Sequence, residues 1–199
     1  MDIDPERGTR IVLGSTSRYR AELLRRLLPD FEQRAPGTDE TALAGEAAGA
    51  RALRLAVVKA QAAAADVRNA LVIGSDQVAE LDGLTLDKPG NVENARRQLA
   101  ISSGRTVQFH TAVCVLDTRD GRLHTHVDLT RAHFRLLHPA EIERYVERER
   151  PLDCAGSVKC EGLGISLFER IDSRDPSALI GLPLIALARL LRECAFALP

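Results

Sequence analysis

The residues best suited to chemistry lie in short stretches that border apolar runs. In LGSTSRYRAELL, residues 13–24, the hydroxyls of Ser15, Thr16 and Ser17 precede Arg20. A hydroxyl-rich turn that opens a helix offers backbone N–H groups and the positive end of the helix dipole. A guanidinium in the first turn adds a bidentate contact, so the pattern suits phosphate. The same residues equally describe a plain helix cap beside a solvated arginine. In VIGSDQV, residues 72–78, Asp76 follows a buried-strand pattern. There a carboxylate can hold Mg²⁺ or Mn²⁺, or take a proton from an attacking water, because a sheet fixes its position. A turn aspartate fits the same pattern. Glu40, in TDET, is a second carboxylate that alone reads as solvated. Lys59, on a mostly apolar helix face, and Lys88, in LDKPG, are point charges able to neutralise triphosphate oxygens. Each has a bland surface reading. Together, two lysines, one arginine and two carboxylates form a coherent set for metal-assisted phosphoryl chemistry.

The elements that must position these groups alternate between the two periods. Residues 11–13 form an apolar strand ending in a small-residue turn. Leu23, Leu24, Leu27 and Leu28 then recur at helical spacing until Pro29 and Asp30. Residues 37–49 are acidic and irregular, and residues 50–66 predict an alanine-rich helix carrying Lys59. Residues 71–73 predict a strand that ends at Gly74, Ser75 and Asp76, placing the carboxylate at a strand terminus. A hairpin turning at Asp82 and Gly83, a helix over 92–102, and a long antiparallel hairpin of 106–116 with 123–136 follow. A charged helix over 139–148, a glycine-punctuated strand over 162–168 and a helix from Pro183 to Cys194 complete the pattern. With no repeat or low-complexity linker, this mixture predicts a single α/β domain over residues 1–199 around a mixed sheet, with a polar leader at 1–10.

Composition narrows the function. With 45% hydrophobic and 28% charged residues, the chain can bury a core without disulfides. A formal charge of −1 gives no field to attract a nucleic-acid polymer. Cys114, Cys154, Cys160 and Cys194 lack C-x-x-C or zinc-finger spacing and read as reduced thiols. No apolar stretch reaches membrane-span length and the amino terminus has no apolar segment, so a soluble, cytoplasmic chain without membrane partners is expected. His124 and His126 alternate on a strand and read as solvated rather than metal-binding. No G-x-S-x-G elbow supports a hydrolase triad, and GLGIS lacks the dinucleotide pattern.

In order along the chain, LGSTSRYRAELL, the DE of TDET, RLAVVKAQ, IGSDQV, LDKPGN, NARRQL and CAGSVKCEGLGISLFERIDSRDPSALIGLPLIAL resemble the Maf proteins. The resemblance implies an elongated mixed sheet flanked by helices, with two lobes around a nucleotide cleft, as in inosine triphosphate pyrophosphatases. It also implies cleavage of a nucleoside triphosphate between the α and β phosphates with Mg²⁺ or Mn²⁺. Asp76 would be the catalytic residue, Glu40 and Asp76 would hold the metal, and Ser15, Arg20, Lys59 and Lys88 would bind the triphosphate. The small-molecule nucleotide would be the partner of a homodimer. GSDQV, with Gln77 where the dTTP and UTP branch has threonine, is similar to the 7-methyl-GTP branch. Tyr19 stands where that branch commonly has tryptophan, and Glu161 matches its acidic residue, so Tyr19, Gln77 and Glu161 are the specificity candidates. An aromatic face and a carboxylate suit a cationic methylated guanine. Arg18 departs from the family's proline and adds charge beside the phosphate turn. The alternatives are the dTTP/UTP branch and a nucleotide-binding regulator of septum formation.

Overall fold

A computed structural model describes residues 9–198. The polar leader expected over 1–10 lies outside the described residues except for Thr9 and Arg10, and Arg10 opens the first strand. Seven strands form one mixed sheet: β1 (Arg10–Gly14), β2 (Glu32–Arg34), β3 (Ala70–Leu81), β4 (Leu84–Thr85), β5 (Thr106–Asp117), β6 (Leu123–Phe134) and β7 (Phe168–Asp172). Their order is β2-β1-β3-β5-β6-β7, with β4 pairing separately on β3. β1 runs parallel to β2 and β3, and the remaining pairs are antiparallel. The helices are α1 (Arg18–Leu24), α2 (Ala48–Ala63), α3 (Val92–Ser102), α4 (Pro139–Glu149) and α5 (Leu184–Glu193). The sheet is therefore mixed and flanked by helices, as expected.

Strand alternation sorts the core. On one face, Leu71 and Ile73 of β3 join Val113 and Val115 of β5 under α1 and α5. On the same face but at the far end of these strands, Ala79, Leu81, Val107 and Phe109 pack under α3 and α4. Two apolar cores thus lie at opposite ends of the long strands. The other face is covered by α2 through Ala52, Ala56 and Ala60, which meet Val78, Ala112 and Cys114. The alanines are needed because this helix lies very close to the sheet. A Cβ on Gly74 would sit 2.1 Å from the Ala56 carbonyl oxygen and 2.6 Å from the Ala60 nitrogen. On Gly14, which is Gly74's partner in the β1–β3 register, a Cβ would sit 2.8 Å from the Lys59 carbonyl oxygen.

Two expectations from the sequence are corrected. β3 does not end at Asp76 but continues to Leu81, paired with β5 along residues 71–80. The glycine read as a strand terminus is there for helix approach, and it is β1 that stops, at Gly14. The expected strand over 162–168 is instead a 3₁₀ segment, Leu163–Leu167, followed by β7. There the chain folds back so tightly that a Cβ on Gly164 would lie 2.5 Å from the Lys159 carbonyl oxygen.

Candidate active site

The early end of β1 makes a notch in the sheet. Pairing of β1 with β3 ends at Gly14 and Gly74, and pairing with β4 begins only at Glu80. Between them one edge of β3 is open, and Asp76, Gln77, Val78 and Ala79 line a cleft of about 620 Å³ there. Because the gap opens to both faces, side chains of opposite orientation reach the same space. All nine residues singled out in the sequence line this cleft: Ser15, Tyr19, Arg20, Glu40, Lys59, Asp76, Gln77, Lys88 and Glu161.

At its floor, α2 delivers Lys59, whose side chain is 6% exposed. Its Nζ donates to Asp76 Oδ1 at 2.6 Å and lies 2.5 Å from Glu40 Oε1. The close packing at Gly74 makes this possible, since a helix seated further from the sheet would leave Lys59 short of Asp76. Burial opposes the charge on the Glu40 carboxyl. The hydrogen bond from Lys59 and the charges of Lys59, Lys88 and Arg20 outweigh it and hold the group below the usual glutamate range.

The Ser15–Arg20 turn is more self-contained than a free anion cradle. Ser17 caps α1, accepting from the Arg20 backbone N–H at 3.4 Å, and Ser15 Oγ accepts from the Ser17 N–H at 3.1 Å. Ser17 is therefore a cap, as the plainer reading expected, but Arg20 is not solvated as that reading had it: it is partly buried and lines the cleft. Arg20 Nε donates to the Gly181 carbonyl at 2.9 Å, and Nη1 reaches Ser15 Oγ at 3.5 Å. Burial lowers the affinity of this guanidinium for its proton, while Asp76 and Glu40 oppose the effect.

Gln77 lies on the opposite face of β3 from Asp76. Its amide donates to Thr111 Oγ1 at 2.9 Å and to the carbonyls of Ala178 and Leu179 at 3.0 and 3.1 Å. Ser75 Oγ donates to the Gly181 carbonyl at 2.9 Å. The 178–181 segment is thus racked onto the sheet by its own carbonyls, and Leu179, Ile180 and Gly181 form a wall of the cleft. At the mouth, the Arg18 guanidinium stacks 4.8 Å from the centroid of the Tyr19 ring and donates to its hydroxyl at 2.8 Å, with Lys159 Nζ 6.0 Å from the same ring.

Five cations, Arg18, Arg20, Arg51, Lys59 and Lys88, and five carboxylates, Glu40, Asp76, Asp87, Asp153 and Glu161, line the cleft. Equal numbers of both signs around one space suit a polyanion that arrives with a cation. Among the described residues no three His, Cys, Asp or Glu side chains gather as a metal site. The four cysteines are free, and burial pushes the thiols of Cys114, Cys154 and Cys160 up to about 12, away from nucleophilic use. His124 Nδ1 is 3.2 Å from Glu193, far in sequence and remote from the cleft lining.

Sequence reasoning missed Arg51, Asp87, Asp153 and the 178–181 wall. Arg51 had a signal: Arg51, Leu55 and Lys59 recur every four residues, so α2 presents them to the cleft on one side.

A family model described as Maf-like protein matches residues 10–194. The chain belongs to the Maf family. Relatives of this Maf chain include the 7-methyl-GTP pyrophosphatase of Xanthomonas oryzae pv. oryzae, 57% identical over 190 residues, covering 96% of this chain and 99% of the relative. The 7-methyl-GTP pyrophosphatase of Burkholderia thailandensis is 51% identical over 201 aligned positions, covering 100% and 94%. Among solved structures, the Ham1 protein of Staphylococcus aureus aligns with a TM-score of 0.44 at 19% identity, covering 63% of this Maf chain and 72% of that chain.

Proposed function

We propose that this protein is a cytoplasmic pyrophosphatase that hydrolyses 7-methyl-GTP at the α–β phosphate bond, giving 7-methyl-GMP and diphosphate. The observation that carries the reading is Lys59 held between Asp76 and Glu40 on the floor of a cleft that also holds Ser15, Arg20 and Lys88. The choice of base rests on the names of relatives that match nearly the whole chain, and on an aromatic ring and a carboxylate, Tyr19 and Glu161, in the same cleft. Among the described residues no helix is long and apolar enough to cross a membrane. The family resemblance carries the expectation of a homodimer, which sedimentation tests.

The donor set fits a hard divalent cation. Glu40 and Asp76 are oxygen donors that the Lys59 ammonium brings together, at 2.5 and 2.6 Å from its Nζ, and such ions are commonly held by one or two carboxylates with substrate phosphates and water completing the shell. When bound, Mg²⁺ or Mn²⁺ supplies charge neutralisation on the triphosphate. The chain's own residues supply the rest. Lys59, Arg20 and Lys88 hold the β and γ phosphates and stabilise charge on the leaving diphosphate. Asp76, fixed in mid-strand, takes the proton from a water aligned on the α-phosphorus. Ser15 holds Arg20 toward the cleft. Gln77 acts on the base through the 178–181 wall it secures.

Diphosphate release from 7-methyl-GTP, GTP, dTTP, UTP and CTP, each with Mg²⁺ or Mn²⁺, tests the reading. A strong preference for 7-methyl-GTP supports it. A lead by dTTP or UTP overturns the roles of Tyr19, Gln77 and Glu161, and tight binding without turnover in either metal points to a nucleotide-binding regulator.

A further inference from the structure

Glu40 and Lys88 enter the cleft from two segments that lack regular structure, so something must set the distance between them. Glu40 lies in the long irregular stretch between β2 and α2, and Lys88 follows β4 next to Asp87. Both segments bond to one residue of α2. Arg51 Nη2 donates to the Glu40 carbonyl at 3.2 Å, and Nη1 pairs with Asp87 Oδ1 at 3.1 Å. The Arg51 side chain is only 13% exposed, and its Nε is buried without a hydrogen-bond partner. A surface arginine with an incidental ion pair would leave its donors in water. This one gives up solvation of a donor to span two segments, which is the use that a planar fork with fixed donor directions serves better than lysine.

We infer that Arg51 is a positioning residue for the phosphate site, tying the Glu40 segment and the Lys88 segment to α2 at one separation. Lys59, two turns along the same side of α2, then meets Glu40 from the same rigid helix. Metal-holding carboxylate, floor lysine and rim lysine are in this way referenced to a single element, and the cleft is preorganised before nucleotide arrives. Asp87 transmits the tie to Lys88 alone, because it sits beside it in the chain. The inference rests on the pyrophosphatase reading for its kinetic consequence but not for its structural one.

The test compares the full chain with Arg51→Met, which keeps the apolar stem, Arg51→Lys and Asp87→Asn. Hydrogen–deuterium exchange without nucleotide is read together with KM for 7-methyl-GTP and the Mg²⁺ concentration at half-maximal rate. Arg51→Met should speed exchange in both 36–46 and 86–90. It should raise KM and the Mg²⁺ requirement by about tenfold each, with kcat at saturation falling less than about threefold. Asp87→Asn should loosen 86–90 alone and raise KM without moving the Mg²⁺ requirement. Arg51→Lys, which keeps the charge and serves if the methionine variant fails to fold, should restore neither property, because one ammonium does not span both partners. Unchanged exchange in both segments, or a full return to wild-type values with lysine, overturns the inference. An inactive wild-type enzyme would sink the proposed function while leaving the exchange result to decide the role of Arg51.

Discussion

Gly74→Ala should separate the site without touching any residue that meets substrate. The added methyl would lie 2.1 Å from the Ala56 carbonyl oxygen, 2.6 Å from the Ala60 nitrogen and 2.9 Å from the Ala60 Cβ. The two nearest atoms are backbone, so no rotamer relieves the clash, and α2 must retreat from β3 by more than about 1 Å to restore ordinary contact. That retreat carries Lys59 with it, and a 2.6 Å bond to Asp76 does not survive it. Overpacking of this kind costs about 1–3 kcal/mol, which for a chain of this size lowers Tm by about 2–12 °C. A displacement of about 1 Å at a reacting centre costs about 100-fold in rate, so kcat/KM should fall much further than stability alone explains. Differential scanning fluorimetry and diphosphate release measure the two effects. Adding Ala60→Gly should not rescue the variant, since it removes only the third and longest contact. Wild-type Tm and kcat/KM in Gly74→Ala, or full rescue by Ala60→Gly, would show that α2 does not set the Lys59–Asp76 contact.

Three further outcomes follow from other contacts. Arg18→Ala frees the Tyr19 ring from its stacked guanidinium; a cation–π contact is worth about 0.5–1 kcal/mol, so KM for 7-methyl-GTP should fall about two- to fivefold relative to GTP, and an unchanged ratio contradicts the role of that ring. Gln77→Leu leaves the Leu179 carbonyl without its hydrogen-bond donor, and urea unfolding should show a loss of about 1–3 kcal/mol together with weaker discrimination among bases. Glu141 accepts from the Arg135 guanidinium and from the His138 N–H in the capping box of α4, and the two hold its carboxyl down at about 2. A pKa lowered on folding stabilises above the unfolded-state value and is lost as pH falls through the folded one. The urea-midpoint difference between wild type and Glu141→Gln should therefore be full at pH 7 and shrink between about pH 4.3 and about pH 2.

Much of the fold was legible because local pattern and tertiary role agreed. Asn91 caps α3, which begins at Val92 as expected, and the alternation of β5 and β6 with the turn at Asp117 to Gly121 specified the long hairpin. The misses share one cause: glycines whose meaning is tertiary. Gly74 looks like a strand breaker, yet it is a flat place on which α2 rests. Gly164 sits in an apolar run resembling a strand, yet it marks a fold-back. In the site, Ser15, Arg20, Glu40, Lys59, Asp76 and Lys88 were found from side-chain type and Tyr19, Gln77 and Glu161 from the family resemblance, and all nine line one cleft. The 178–181 wall was not, because it contributes backbone carbonyls and apolar groups, and a carbonyl's partners cannot be read from residue type. Gln77 was found as a specificity candidate, but its amide donates to Thr111 and to the wall rather than into open space, since strand alternation turns it away from Asp76.

The most direct test of the account is diphosphate release from 7-methyl-GTP by wild type and Asp76→Asn at saturating Mg²⁺, with nucleotide binding followed in parallel. The variant should keep its fold and bind nucleotide while turnover falls by about 100-fold or more, since a positioned base contributes on that scale. A folded Asp76→Asn enzyme that releases diphosphate at the wild-type rate would contradict it.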